Sequence, residues 1–167
     1  MTTESTITDN EDVDPAAEAE LTAALEQVLV DGKPLWQVCG WTADQVEGVY
    51  SIGYHYYEAG AYEEALKVFK PLVMLNSADV RSWMALGATS QMMNDYTSAL
   101  ESFGYASLLD PQNPKPFFHA MECHIALKNY PAAQTAGEYV LAVAGDSPQN
   151  APLTARTKVL LGALSAK

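Results

Sequence analysis

The stretch WMALGATSQMMNDYTSALESFGYASLLDP, residues 83–111, carries the pattern that decides the fold. Apolar and small residues recur in it at helical spacing, and Asn94-Asp95 interrupts them with a turn signal. Asp110-Pro111 closes the second half, because proline cannot continue a helix. The stretch therefore predicts two helices joined by a short turn.

The same residues return on both sides of this stretch at intervals of 34 positions. The recurring positions are Gly53 and Gly87; Tyr62, Tyr96 and Tyr130; Ala65, Ala99 and Ala133; and Phe69 and Phe103. Four residue types that repeat at one period are typical of tetratricopeptide repeats, in which each unit is a pair of antiparallel helices. The period places three units at 46–79, 80–113 and 114–147, although Met121 stands in the third where the others have glycine.

Small residues predict where the helices of each pair approach closely. Glycine and alanine at the recurring positions leave room for a neighbouring helix, and Phe69 and Phe103 are expected to fill the space between repeats. Turn signals at Ala59-Gly60 and Lys128-Asn129 match Asn94-Asp95. Each unit is therefore expected to turn at the same place.

The flanks of the repeats are also expected to be helical. Residues 15–45 predict an N-terminal helical segment, with possible dimerisation through apolar residues at helical spacing: Leu21, Leu25, Val28 and Leu29. Thr42 and Gln45 predict a capping box at the first repeat. Residues 148–167 predict a capping helix over the last apolar face. The predicted fold class is all-α, a short right-handed superhelix of three repeats between these flanking helices.

Composition and charge limit the classes of function. The net charge is −12, and residues 1–14 form a polar, acidic segment that is expected to be a disordered tail. Nucleic acid is not an expected partner, because phosphate binding requires clustered lysine and arginine. No apolar run approaches the roughly 18 residues of a membrane span, and no secretory signal is recognisable, so a cytosolic protein is expected.

Residues 46–58 present two different faces when they are placed on a helix. Val49, Ile52, Gly53 and Tyr56 share one side and are expected to pack on the partner helix, whereas Tyr50, Tyr54 and Tyr57 share another. In this repeat class that second side lines the concave surface. The equivalent positions complete a candidate peptide-binding groove: Arg81, Met84, Ala88 and Gln91 in the second unit, and Lys115, Phe118, Glu122 and Ile125 in the third.

The composition of this groove suits an extended apolar peptide with occasional carboxylates. Repeats that clamp a terminal carboxylate use lysine and asparagine where this chain has Tyr50 and Tyr54. In an alternative interpretation, the N-terminal helix folds back and covers the tyrosines. The groove is otherwise expected to be open for a protein partner.

The sequence has few candidates for metal ligands or catalytic residues. His119 and Cys123 lie one helical turn apart, but a third and a fourth metal ligand are not obvious, so a structural role is favoured over a metal site. Cys39 and Cys123 are expected to be reduced and mostly buried. No phosphate-binding loop or nucleophile motif is present, and no cofactor, metal or catalytic residue is predicted.

Four segments resemble the class II translocator chaperones of bacterial type III secretion. They are DGKPLWQVCGWT (31–42), VYSIGYHYYEAGAYEEALKVF (49–69), SFGYASLLD (102–110) and PFFHAMECHIAL (116–127), of which the last is the most specific. The resemblance implies a chaperone of the bacterial cytoplasm without catalytic activity. It would hold one or two hydrophobic, pore-forming translocator proteins soluble and competent for secretion.

The resemblance also implies other partners. The N-terminal helix of this family commonly mediates a homodimer of the free chaperone, and some members assist a transcriptional activator. Neither nucleic acid nor direct membrane binding is implied. A generic tetratricopeptide adaptor unconnected with secretion is the alternative function, and an enzyme with a metal at His119 and Cys123 is a third hypothesis.

Overall fold

The computed structural model describes residues 14–165, which fold into helices arranged as a row of antiparallel pairs. The helices are α1 (Pro15–Leu29), α2 (Leu35–Val38), α3 (Ala43–Glu58), α4 (Tyr62–Leu75), α5 (Val80–Met92), α6 (Tyr96–Leu109), α7 (Pro114–Ala126), α8 (Tyr130–Ala144) and α9 (Ala151–Ser165), with a 3₁₀ turn at Pro148–Asn150. The predicted all-α fold is confirmed. The predicted acidic tail lies outside the described residues except for Asp14, which caps α1.

Local signals fix where the helices begin and turn. Thr42 and Gln45 form the predicted capping box: the Thr42 N–H donates to Gln45 Oε1 at 2.8 Å, and the Gln45 N–H donates to Thr42 Oγ1 at 3.2 Å. Within the three pairs, the turn places Gly60, Asn94 and Lys128 in the left-handed region, with φ of 74°, 62° and 58°. These positions are 34 residues apart, so each pair turns in the same way.

The two helices of a pair meet at a glycine that lies under an aromatic ring. A Cβ atom on Gly53 would lie 2.7 Å from the ring of Phe69, and one on Gly87 would lie 2.7 Å from the ring of Phe103. Both rings are buried, as are Ala65 and Ala99 beside them. Where the two helices of these pairs (α3 with α4, α5 with α6) come closest, there is therefore room for only one large side chain.

In the third pair, α7 with α8, the large and the small residue exchange helices. Met121 occupies the glycine position on α7 and is fully buried, while Gly137 occupies the phenylalanine position on α8. A Cβ on Gly137 would lie 3.0 Å from Met121 Sδ and 2.8 Å from Leu161 of α9. Gly137 therefore makes room for the methionine and for the docking of the last helix.

Helices α3, α5, α7 and α9 lie side by side and form one surface of the molecule. Two ion pairs join neighbouring helices on this surface, each between residues 34 positions apart. Arg81 Nη2 lies 2.9 Å from Glu47 Oε2, and Arg156 Nη2 lies 2.8 Å from Glu122 Oε1. Helix α9 thus takes the place of the first helix of a fourth repeat and caps the array.

The expectation that Ile52 and Tyr56 pack on a partner helix is wrong. Their side chains are 54% and 37% exposed, whereas the equivalent Leu86 is only 8% exposed and Ser90 is 2% exposed. The middle pair is covered by α4 of the preceding pair, but α3 begins the array and has no preceding pair. This face of α3 is therefore open at the N-terminal end of the superhelix.

The two cysteines differ in their environments, contrary to expectation. Cys39 is exposed at the C-terminal end of the short helix α2. Cys123 is buried against Phe103 and Ala99. Burial raises the pKa of the Cys123 thiol to about 12, with a smaller contribution from the Glu122 carboxylate.

Two glycine-to-alanine substitutions on neighbouring helices test the packing of phenylalanine on glycine. We expect Gly87→Ala to lower the free energy of unfolding by about 1–2 kcal/mol, because Phe103 must move to admit the methyl group. Gly104→Ala on the exposed face of α6 meets no atom within 4 Å and should raise it by up to about 1 kcal/mol. Urea unfolding followed by circular dichroism measures both; equal effects of the two substitutions would contradict this packing.

The thiol environments predict selective alkylation. In the native protein at pH 8, iodoacetamide should modify Cys39 alone, because a thiol pKa of about 12 leaves only about one Cys123 thiol in ten thousand ionised. Both thiols should react in 6 M guanidinium chloride, which serves as the control. Mass spectrometry of the intact protein counts the adducts, and rapid double modification of the native protein would overturn the expectation.

Candidate peptide-binding groove

A cavity of about 560 Å³ opens on the surface formed by α3, α5 and the start of α7. It is lined by Tyr50, Tyr54, Tyr57, Val80, Arg81, Met84, Ala85, Ala88, Asn113, Lys115 and His119. All three tyrosines of the predicted groove lie on its wall. Of the residues predicted on α5 and α7, Arg81, Met84, Ala88 and Lys115 line this cavity with them, because equivalent positions on adjacent inner helices are neighbours.

A second cavity of about 420 Å³ continues the first toward the C-terminal ends of α3, α5 and α7. It shares Tyr57, Ala88 and His119 with the first cavity and adds Gln91, Met92, Tyr96, Glu122 and Ala126. The predicted groove residues Gln91 and Glu122 lie here. The two cavities together form one furrow across the inner helices, which we call the groove.

The tyrosines of α3 form a stacked row along one side of the groove. The ring centroids of Tyr50 and Tyr54 are 6.3 Å apart, and those of Tyr54 and Tyr57 are 6.4 Å apart. Tyr50 and Tyr57 also pack on the core, through Phe69 at 5.9 Å and Tyr62 at 5.6 Å respectively. Tyr54 remains 45% exposed between them. The row therefore presents a supported aromatic wall to the groove.

Burial raises the pKa of the Tyr50 and Tyr57 phenols above their usual value. For Tyr50 the positive charge of Arg81 opposes this effect without reversing it. Both hydroxyls therefore stay protonated at neutral pH and can donate hydrogen bonds to a ligand.

Arg81 joins the first two inner helices at one end of the groove. Its guanidinium contacts Glu47 Oε2 at 2.9 Å and Asp79 Oδ1 at 3.3 Å, and it lies 4.9 Å from the centre of the Tyr50 ring. Hydrogen bonds to the two carboxylates raise the pKa of Arg81 further above its usual value, so it is always charged. The contact with Tyr50 is a cation–π interaction that fixes the end of the aromatic row.

Glu122 joins three helices at the opposite end of the groove. Its carboxylate accepts hydrogen bonds from Arg156 of α9 at 2.8 Å and from Gln91 of α5 at 3.4 Å, and it lies 3.2 Å from His119 Nδ1. Burial acts to raise the pKa of Glu122, but the hydrogen bonds of His119 and Gln91 and the charge of Arg156 outweigh it and lower the pKa. Glu122 is therefore ionised and already has partners.

Two residues of the predicted groove lie elsewhere. Phe118 is only 3% exposed and lies under the guanidinium of Arg156, whose carbon is 5.0 Å from the ring centre. Ile125 lines neither cavity. Phe118 is buried because the side chain of Arg156, on α9, covers its ring, a contact that the pattern of the three repeats does not show.

Seven residues that line the groove were missed by reasoning from the sequence: Val80, Ala85, Met92, Tyr96, Asn113, His119 and Ala126. Asn113 is the N-cap of α7, where it accepts a hydrogen bond from the Lys115 N–H at 3.1 Å, and its place before Pro114 could have indicated this. His119 stacks on Phe103 at 5.1 Å and separates the two cavities. Its equivalents in the other units, Ser51 and Ala85, gave no comparable signal.

Helix α1 does not cover the tyrosines in the described part of the chain. It lies beside α2, and none of its residues lines either cavity of the groove. Within residues 14–165 no three side chains of histidine, cysteine, aspartate or glutamate come together to hold a metal ion. Over the same range no helix has both the length and the apolar character needed to cross a membrane.

Comparison with known proteins gives consistent results. The family model for the tetratricopeptide repeat matches residues 82–113. Over 148 residues, covering 89% of this chain, the sequence is 30% identical to the low calcium response locus protein H of Yersinia pseudotuberculosis, of which 88% is covered. It is 23% identical to the chaperone protein SicA of Salmonella typhimurium, with 89% of this chain and 87% of that protein covered.

Three solved structures are similar in fold and sequence. PcrH of Pseudomonas aeruginosa, in complex with the chaperone binding region of PopD, superposes with a TM-score of 0.73 at 35% identity, covering 76% of this chain and 96% of PcrH. The type III secretion chaperone SycD of Yersinia enterocolitica, in complex with a peptide of the translocator YopD, gives 0.73 at 30% identity, covering 75% and 95%. SycD in an alternative dimer gives 0.72 at 30% identity, covering 75% and 95%.

Proposed function

Because this chain belongs to the translocator chaperones of type III secretion systems, we propose that its groove holds an extended segment of a hydrophobic translocator protein. The observation that carries the proposal is the stacked row of Tyr50, Tyr54 and Tyr57, which faces the larger cavity of the groove. An open aromatic wall on an acidic protein marks a binding surface for apolar side chains.

The dimensions of the groove suit a few anchoring side chains. A cavity of about 560 Å³ accommodates two or three apolar side chains, and the adjoining cavity offers polar partners to the peptide backbone. Met84 and Ala88 form the floor of the larger cavity, where methionine can adapt to different anchors. Two translocators with different side chains could therefore use the same groove.

The role that follows is protection rather than chemistry. A pore-forming protein exposes apolar segments that associate with one another in water, and a chaperone that covers one of these segments lowers the concentration of the associating form. We propose that the protein does this in the bacterial cytoplasm, before secretion, and that it has no catalytic activity. Helix pairs with supported aromatic rings provide a rigid surface for that purpose.

A matched pair of tyrosine substitutions tests the binding site. Tyr54 faces the groove and does not belong to the core, whereas Tyr56 on the same helix is similarly exposed, at 45% and 37% respectively, but lines neither cavity of the groove. We expect Tyr54→Glu to weaken cargo binding about thirtyfold or more, because it places a charge against an apolar anchor. Tyr56→Glu should bind as the wild type does.

The measurement is a pull-down from the native cytoplasm, with the helical fold of each variant checked by circular dichroism. One or two hydrophobic, membrane-active proteins should be retained by the wild type and by Tyr56→Glu but not by Tyr54→Glu. Equal retention by all three would show that the groove is not the binding site. Recovery of the same partners in soluble form from cells that lack the chaperone would instead favour a generic adaptor.

We further propose that the free protein forms a homodimer through α1. Leu21, Leu25 and Leu29 are exposed on α1, and Val28 beside them is half-buried. No residue of this 15-residue helix is fully buried against the rest of residues 14–165, so most of its apolar stripe faces away from the other helices of that range. Exposed apolar stripes of this kind are stabilised by pairing with another chain.

A charge on the α1 stripe should dissociate this dimer. We expect Leu25→Glu to weaken self-association at least about tenfold, since burial of a leucine side chain contributes roughly 1.5–3 kcal/mol. Leu108→Glu on α6, at another exposed leucine, is the matched control and should leave the mass unchanged. Size-exclusion chromatography with light scattering over a range of protein concentrations measures the mass; a dimer that survives Leu25→Glu would place the interface elsewhere.

A further inference from the structure

The larger cavity of the groove is lined by basic but not by acidic side chains, although the chain as a whole is acidic. The chain carries 21 acidic residues against 9 lysines and arginines, for a net charge of −12. None of the residues that line this cavity is acidic, whereas Arg81, Lys115 and His119 have basic side chains. The binding of apolar side chains does not require basic residues, so it does not explain this lining of an acidic protein.

Two of these three basic groups already have acidic partners. Arg81 lies within 3.3 Å of both Glu47 and Asp79. His119 lies 3.2 Å from the carboxylate of Glu122. Both side chains therefore already have carboxylate partners within the chain.

Lys115 differs from both. Among residues 14–165 no carboxylate or amide oxygen bonds to its ammonium group; only its backbone N–H has a partner, Asn113 Oδ1. Pro114 and Pro116 on either side are buried, so the backbone at Lys115 is held in place. The exposed ammonium group is therefore available on the rim of the cavity, within the reach of a flexible side chain whose backbone is held in place.

From this arrangement we infer that the groove selects a cargo segment with an aspartate or glutamate beside its apolar anchors, whose carboxylate pairs with Lys115. The inference rests on the proposed function, because it concerns the segment that the groove would hold. A carboxylate is favoured over a neutral acceptor, since hydrogen bonds between charged groups are about twice as strong as neutral ones. Acidic residues of the chain that lie more than about 8 Å from the peptide carboxylate repel it only weakly, because salt screens charges at that distance. The attraction to Lys115 acts at short range and is screened less.

Such a pair would set the register of the bound segment. Apolar anchors can occupy the cavity in more than one alignment, because burial of apolar area is not directional. A single charged contact at the rim penalises every alignment that moves the carboxylate away from Lys115. Lys115 would therefore act as a specificity-determining residue of the groove.

The test uses a displayed library of random decapeptides as the probe. Peptides are selected on the wild-type protein, on Lys115→Gln and on Lys115→Glu. Lys67→Glu is the matched control, because Lys67 is exposed on α4 and lines neither cavity of the groove. The wild type and Lys67→Glu should select apolar peptides with aspartate or glutamate at a fixed spacing, Lys115→Gln should lose that preference, and Lys115→Glu should select lysine or arginine there.

Fluorescence anisotropy then measures the affinity of one selected peptide and of its amide counterpart, with asparagine or glutamine in place of the acid. On the wild type the acidic peptide should bind about fivefold more tightly, as expected for a partly exposed ion pair. On Lys115→Gln the two peptides should differ by less than about twofold.

The outcomes separate this inference from the proposed function. If the selected peptides depend on Tyr54 but bind equally well as acid and amide, the acidic subsite is refuted and the groove remains the binding site. If the wild type selects no peptide, or its peptides bind Tyr54→Glu equally well, the proposed groove fails and the subsite fails with it.

Discussion

The contact between a glycine and a large side chain inside each helix pair is the constraint on which the rest of the structure depends. Phe69 over Gly53 and Phe103 over Gly87 fix how closely the two helices of a pair approach. The third pair obeys the same rule with the partners exchanged, because Met121 projects from α7 toward Gly137 on α8. Each pair thus combines one glycine with one large side chain at the point where its helices meet, as close packing requires, although the helix that carries the glycine differs.

Placement of the inner helices follows from this packing, and the groove follows from the inner helices. Equivalent residues on adjacent inner helices are 34 positions apart, and the pairs Arg81–Glu47 and Arg156–Glu122 show that they lie within bonding distance. Each repeat therefore contributes different residues to the groove: tyrosines from α3, the small Ala88 from α5, and the charged Glu122 from α7. A change of residue type from one repeat to the next becomes a change of chemistry along the groove.

The repeat period predicted most of this arrangement from the sequence, and it failed where the array ends. Helix pairs and turns depend on contacts that every unit makes, so an averaged pattern contains them, and the positions of the three groove tyrosines follow from the face of α3 on which they lie. Ile52 is exposed because the first unit lacks a preceding neighbour, and Phe118 is buried because Arg156 of α9 covers it. Cys39 lies outside the repeats altogether. A periodic pattern describes the middle of a solenoid, whereas the residues at its ends are placed by neighbours that do not repeat.

The division of roles among the three tyrosines explains how one helix serves both the core and the groove. Tyr50 and Tyr57 contact Phe69 and Tyr62 and so belong partly to the core, while Tyr54 stacks between them and contributes its exposed surface. A ring held between two anchored rings loses little side-chain freedom when a ligand packs on it, and the free energy of association is larger for that reason. The net charge of −12 opposes nonspecific association between copies of the chain at long range, which helps such an apolar wall to stay exposed.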